Sequence, residues 1–396
     1  MTSENRDQDI VIVAAKRTPM GGFQGALSSV ASPVLASTAV QAVMHDTGVN
    51  GADVDELLMG CVLPAGLGQA PARQAALGAE LPLSVGATTV NKVCGSGMKT
   101  VMLAHDLIKA DSAQIVLAGG MENMSQAPYL LDKARGGMRM GHGKVLDHMF
   151  LDGLEDAYTG GAMGTFAQKT ADDFNLTREQ MDQFALNSLQ KANSAIETGA
   201  FDAEIAPVTV SSRRGDTVVD TDEQPGNARP DKIPSLRPAF AKDGTITAAN
   251  SSSISDGAAV LMLMRRDEAA KRGLAVMATI KGHATHAQEP SMFTTAPVGA
   301  MNKLLAKVAW QTQDVDLFEI NEAFAMVTML AISELGLDED KVNIYGGACA
   351  LGHPIGCSGA RVLVTLIHAL KAKGLSRGVA SLCIGGGEAT AMAIEV

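Results

Sequence analysis

The sequence predicts an α/β protein of two similar halves with a further domain inserted in the first, and three observations carry that prediction. Strand-like apolar runs alternate with helix-periodic runs over residues 10–118 and again from residue 276 onward. Cys94, Gly95, Ser96 and Gly97 stand before one helical run, and Cys357, Ser358 and Gly359 stand before another. Each of these helices leads to a strand with glycines at its end, which reads as a weak internal duplication. Between the repeats, from about residue 125 to 250, charge, proline and loop residues replace the alternation.

The first strand is expected over residues 10–15, ending at Lys16, Arg17 and Thr18, with a loop at 19–22 and a helix over 33–45. Residues 54–62 hold a strand that leads to the loop at 66–68. Residues 73–78 form a short helix with Ala75, Ala76 and Leu77 on its apolar side. A run rich in β-branched residues, 87–93, ends at Cys94, and residues 98–108 show helical spacing. Cys94 therefore falls on a sharp turn at a helix N-terminus, where unpaired N–H groups and the helix dipole favour a thiolate and lower the thiol pKa. Residues 114–118 read as a strand closed by Gly119 and Gly120. Alternation at this pitch predicts parallel sheets with right-handed crossovers.

In the insertion, helices are expected at 164–174 and 177–199. Thr177 followed by Glu179 and Gln180 gives the second a start, and Gly199 a stop. Lys133, Arg135, Arg139, Lys144, Arg213, Arg214, Arg229, Lys232 and Arg237 concentrate there and read as a solvated face. Strands then follow at 256–264, at 276–282 and at 379–384, the last closed by Gly385 to Gly387, with a helix at 362–372. A site belongs where the strand ends of the two halves converge.

Composition narrows the function. A chain of 396 residues, 46% hydrophobic, is long enough for two or three ordinary domains. A net charge of −11, three Tyr and one Trp argue against nucleic-acid binding. No signal pattern or membrane-spanning run is evident, so a soluble cytoplasmic protein is expected. Five cysteines without a CxxC pair argue against a disulfide framework and against a structural zinc site. Three of them lie beside glycine clusters, where reactive thiols are placed. Three C-terminal stretches hold further candidates. The stretch 316–324, DLFEINEAF, is a strand breaking into a helix at Asn321 and Glu322. The stretch 343–359, NIYGGACALGHPIGCSG, sets His353 in a glycine-rich loop. The stretch 379–391, VASLCIGGGEATA, sets Cys383 at a strand end.

NKVCGSGM at 91–98, NEAF at 321–324, GGACALGHPIG at 346–356 and CIGGG at 383–387 together resemble the thiolase family. GGMENMSQAPY at 119–129 and NSSSISDGAA at 250–259 add to the likeness, which runs from Ile10 to the last residues. Within the family the chain is most similar to the acetyl-CoA acetyltransferases, which cleave and make acetoacetyl-CoA. The resemblance implies a thiolase fold of two βαβαβαββ halves in a five-layered αβαβα core. Residues 1–122, completed by 250–273, would form the first half, 123–249 the inserted loop domain and 274–396 the second half.

The resemblance also implies the chemistry. Cys94 is the acyl-accepting nucleophile, His353 takes its proton, and Cys383 moves the α-proton of acetyl-CoA. Asn321, through a water held with His353, forms one oxyanion hole; the N–H groups of Cys94 and Gly385 form the other. Ser252 lies beside the pantetheine arm, Leu154, Met163, Ala323 and Phe324 line it, and Phe293 stands near the end of the acyl pocket. Acetyl-CoA, acetoacetyl-CoA and coenzyme A are then the substrates, with no metal and no other cofactor. Residues 127–148 match the hairpin by which tetrameric members join two dimers, so a homotetramer is expected. The chain departs from short-chain members at Ala162, where histidine is common, at Tyr345, where asparagine is usual, and at Glu388 and Ala389, where methionine and glycine are usual. A degradative 3-ketoacyl-CoA thiolase of broader chain length is the alternative. A non-catalytic acyl-CoA binding relative would be expected to lack at least one of Cys94, His353 and Cys383.

Overall fold

The computed structural model describes residues 7–396. The duplication is visible strand by strand. In the first half the order is Glu56–Gly60, Ile115–Asn123, Ser255–Arg265, Ile10–Arg17, and in the second Leu317–Ile320, Arg377–Ile384, Glu388–Glu395, Ala278–Ala287. In both, the first neighbouring pair is parallel and the next two are antiparallel. Gly86–Val90 adds a parallel edge strand to the first half. The halves meet where Val11 pairs with Thr279 and Ile12 with Ala278.

The expected parallel sheets are thus mixed. Ser255–Arg265 arrives after the insertion and runs antiparallel to both of its neighbours. In the second half, the turn at Gly386 and Gly387, both with positive φ, folds Arg377–Ile384 back onto Glu388–Glu395 as a hairpin.

Five layers result. The helices Ser96–Lys109 and Ser358–Lys373 pack together between the sheets, in a core that draws Ile10, Ile12, Leu58 and Leu261 from one half and Leu363, Leu382 and Met392 from the other. Ser32–Thr47 and Pro71–Gly78 cover the outer face of the first sheet, and Ala296–Val308 that of the second. Leu77, expected on the apolar side of its short helix, is instead exposed, and Ala72, Ala75 and Ala76 face the sheet. In the insertion, Arg178–Glu197 is opened by the expected capping box of Thr177 and Gln180, and Gly199, with φ of 69°, follows its end.

Arg17 fastens the insertion to the first strand. Its fully buried guanidinium pairs with Glu204 and, through two bonds of 2.7 and 2.8 Å, with Asp222, and it stacks over Phe201. Removing one partner of such a buried pair costs about 3–5 kcal/mol, because a charge is left uncompensated.

Gly119 and Gly120 do not close their strand, which continues to Asn123. They serve close approach. A Cβ on Gly119 would lie 2.0 Å from the Ala259 carbonyl oxygen, and one on Gly120 would lie 2.0 Å from that of Gly356. Both obstacles are backbone and cannot rotate away. Gly120→Ala is expected to destabilise the protein by at least about 3 kcal/mol, the upper range for overpacking a tight core. Urea unfolding of the two proteins checks this; an unchanged midpoint would contradict the packing described.

Candidate active site

The nucleophile turn is built from local hydrogen bonds. After the strand Gly86–Val90, Val93 adopts a φ of 46°, a left-handed conformation costly for a β-branched residue. It is held there because its N–H donates to Asn91 Oδ1 at 2.9 Å while its carbonyl accepts from Ser96 Oγ at 2.6 Å. Cys94 follows, and the helix starts at Ser96. Gly95 lets the other half come near, since a Cβ there would meet Ile384 Cδ1 at 2.3 Å. The ion pair of Lys92 with Glu388 spans the same gap.

His353 is positioned by backbone. Gly352 has φ of 99°, and a Cβ on it would collide with Ser255 Oγ at 2.1 Å. The histidine N–H donates to the Ser253 carbonyl at 3.1 Å. Its ring Nδ1 lies 2.5 Å from Ser358 Oγ, and that hydroxyl donates its only proton to the Pro354 carbonyl at 2.9 Å. Ser358 must therefore accept from Nδ1–H, which leaves Nε2 unprotonated. Burial and the Arg361 charge push the imidazole down to about 3, so the ring is neutral.

The convergence expected at the strand ends is present. A cavity of about 390 Å³ has Cys94, His353, Cys383 and Gly385 in its lining, together with Ser252, Leu154, Met163, Ala323, Phe324 and Phe293. Asn321 is the one candidate outside that lining. It is fully buried behind His353, with Nδ2 3.5 Å from the ring Nε2, and its buried Oδ1 has no hydrogen-bond partner in the protein. The strand ends at Ile320, and the following helix starts at Ala325, later than the sequence suggested, so Asn321 and Glu322 lie in the connection. Ser252 gives both its N–H and its hydroxyl to the Ala323 carbonyl, at 3.0 Å each, so its oxygen lone pairs remain free to accept.

The thiols differ from the expectation in one respect. Burial pushes Cys94 up to about 11, although the Gly385 and Cys94 N–H groups act in the opposite direction. The resting nucleophile is a neutral thiol, because desolvation in an apolar cavity outweighs the helix N-terminus. Cys383 is pushed well above its ordinary range by burial and by the nearby Cys94. Position beside glycines does not by itself make a reactive thiol. Cys357 is buried in the central core and pushed up to about 12, and Cys349 directs its thiol to the Glu322 carbonyl.

Several supports carry no motif in the sequence. Ser358 reads there only as part of a helix start, and its spacing of five from His353 is the one available signal. Glu122, fully buried, accepts from the N–H groups of Val62, Leu63 and Gly356 and so binds the loops of both halves beneath the site. Burial pushes it up to about 7. Phe240 of the insertion completes the apolar wall, edge-on to Phe324, and no sequence signal pointed to it. Of the departures, Ala162 lines the cavity, whereas Tyr345 packs on Phe201 in the core and Glu388 binds Lys92.

A duplicated αβαβα core whose apolar cavity ends in a cysteine, a neutral histidine and a second cysteine defines a class, the thiol-dependent acyltransferases. Two family models match the chain, thiolase N-terminal domain over residues 10–267 and thiolase C-terminal domain over 274–396, and the chain belongs to the thiolase family. An acetyl-CoA acetyltransferase of Pseudomonas aeruginosa is 47% identical over 98% of this chain and 99% of its own. Acetyl-CoA acetyltransferase 2 of Arabidopsis thaliana is 49% identical over 100% and 99%. Among solved structures, the Bacillus anthracis acetyl-CoA acetyltransferase matches with a TM-score of 0.96 at 42% identity, over 98% of both chains.

The neutral resting thiol has a measurable consequence. Inactivation of the free enzyme by iodoacetamide, which needs the thiolate, should accelerate steadily as pH rises above 8 and level off only near the raised Cys94 value of about 11. A plateau reached by pH 7 would show a preformed thiolate instead.

Proposed function

We propose that this protein is an acetyl-CoA C-acetyltransferase, catalysing reversible thiolysis of acetoacetyl-CoA and the reverse condensation of two acetyl-CoA molecules. The observation that carries the substrate choice is the apolar cavity of about 390 Å³, with the nucleophile, base and second thiol in its lining together with the bulky Phe293. In thiolysis Cys94 adds to the ketone carbon of acetoacetyl-CoA while its proton passes to His353 Nε2. The C2–C3 bond breaks, the enolate of acetyl-CoA takes a proton from Cys383, and the acetyl group stays on Cys94. Coenzyme A then gives its proton to the Cys383 thiolate, its own thiolate removes the acetyl group as a second acetyl-CoA, and Cys94, leaving as a thiolate, takes its proton back from His353.

A neutral histidine with Nε2 free suits the base role, and Ser358 fixes that tautomer. The N–H groups of Cys94 and Gly385, which act to lower the Cys94 thiol pKa, stabilise the tetrahedral oxyanion in this reading. Asn321 Nδ2 beside His353 supports the enolate oxygen, through a bridging water. Ser252 and the walls Leu154, Met163, Ala323 and Phe324 seat the pantetheine arm, and Phe293 limits the acyl chain.

The working divisions of the chain in this reading are 1–122 with 250–273, the insertion 123–249, and 274–396. Five free cysteines fit a reducing cytoplasm, and among the described residues no helix is long and apolar enough to cross a membrane. The hairpin of Tyr129–Leu130 and Leu146–Asp147 carries exposed apolar residues, with Tyr129 67%, Val145 62% and Met140 96% accessible. This is the surface by which two dimers would join as a homotetramer.

Coenzyme A-dependent loss of 3-ketoacyl-CoA absorbance should be fast for acetoacetyl-CoA and abolished in Cys94→Ala. It should be slower for the six-carbon homologue, and Phe293→Ala should recover roughly 10-fold or more of that difference, the scale on which a pocket reads added methylenes. Equal cleavage of longer chains by the wild type would establish the degradative, broader-chain reading instead. Light scattering after size exclusion should give four chains per particle, and Met140→Asp should reduce this to two; a wild-type dimer would refute the tetramer.

A further inference from the structure

Away from the cavity, His105 and Asp106 near the end of the helix Ser96–Lys109 meet His283 of the strand Ala278–Ala287 from the other half. His105 Nδ1 lies 2.9 Å from Asp106 Oδ1, His283 Nε2 lies 3.0 Å from the same oxygen, and the two ring nitrogens are 3.3 Å apart. We propose that these three residues form a binding site for a divalent first-row transition metal of the zinc class, which joins the two halves of the fold.

The spacing carries the argument. Ligand atoms about 2.1 Å from a metal lie about 3.4 Å apart at a tetrahedral centre and about 3.0 Å apart at neighbouring octahedral positions. All three edges of this triangle fall at or within about 0.1 Å of that range. The circle through the three atoms has a radius of about 1.8 Å, so an ion about 1 Å above their plane is at bonding distance from each.

A purely hydrogen-bonded cluster satisfies the triangle less well. The carboxylate only accepts, so each ring must direct an N–H at the one oxygen, and the edge between the nitrogens then sets two donors against each other. A metal ion accepts from all three atoms at once. The rings are nearly covered, with side chains 11% and 12% exposed, whereas Asp106 is 56% exposed and leaves coordination positions open to water. Lys109 and Lys307 lie near enough to oppose a cation. The ion must therefore be one that bonds imidazole strongly, which favours zinc, copper, nickel or cobalt over magnesium and calcium.

The test is titration of the EDTA-treated full-length protein with Co²⁺, followed by visible absorption and calorimetry, on wild type, His283→Gln and Asp106→Asn. The wild type should bind one ion per chain with the d–d bands of nitrogen and oxygen ligation and without a thiolate charge-transfer band. Each variant should lose more than the roughly 10- to 100-fold in affinity that removal of an outer-shell partner costs. Its metal-free cleavage of acetoacetyl-CoA should equal that of the wild type. Binding that persists undiminished in both variants, a thiolate band in place of the d–d pattern, or no saturation by the wild type at millimolar Co²⁺ would each overturn the proposal.

Discussion

The contact on which the rest of the molecule depends is the meeting of two helix N-termini, backbone against backbone, at the centre of the fold. Gly97 and Gly359 stand at the starts of the two central helices. A Cβ on Gly97 would lie 2.7 Å from the Ala360 nitrogen, and one on Gly359 would lie 2.4 Å from the Met98 nitrogen. Gly120 and Gly356 extend the same seam. Helices are ordinarily held about 8–10 Å apart by their side chains. Removing the side chains here brings the turn that carries Cys94 and the loop that carries His353 into one cavity.

The polar groups around the seam follow from it. Backbone brought this close leaves loop N–H groups facing inward, and each must find an acceptor away from water. Glu122 meets three of them from both sides of the seam, and Ser358, the first residue of its helix, accepts the hydrogen bond of His353 Nδ1–H. The apolar walls have the opposite effect. They desolvate Cys94 and His353 together, so both rest uncharged.

Much of this was legible in the chain. The duplication showed in the paired cysteine-glycine turns, and the central helices and the long strands other than Glu388–Glu395 were placed, two of the strands stopping short of their observed ends. The candidate site residues, most of them named through the resemblance, all lie in or directly behind one cavity. What was hidden has a common cause, which is dependence on partners distant in sequence. The direction of Ser255–Arg265 is set by neighbours some 130 and 240 residues before it. Gly119 and Gly120 look like a strand terminus until Ala259 and Gly356 are seen against them. The thiol of Cys94 was expected to be acidic from its local turn, yet burial by residues of the insertion and of the second half decides its state.

The placement of Ser255–Arg265 between Ile10–Arg17 and Ile115–Asn123 bears on how the chain is made. The first half cannot close its sheet when its own residues have been synthesised, since its central strand is encoded after the whole insertion. At about 5–20 residues per second, the ribosome spends roughly 7–26 s between Asn123 and Ser255. Throughout that interval two of the most apolar strands of the protein each lack a neighbour. Nascent chains of this architecture present unpaired edges by construction, and their yield in the cell depends on whatever shields those edges until the missing strand emerges.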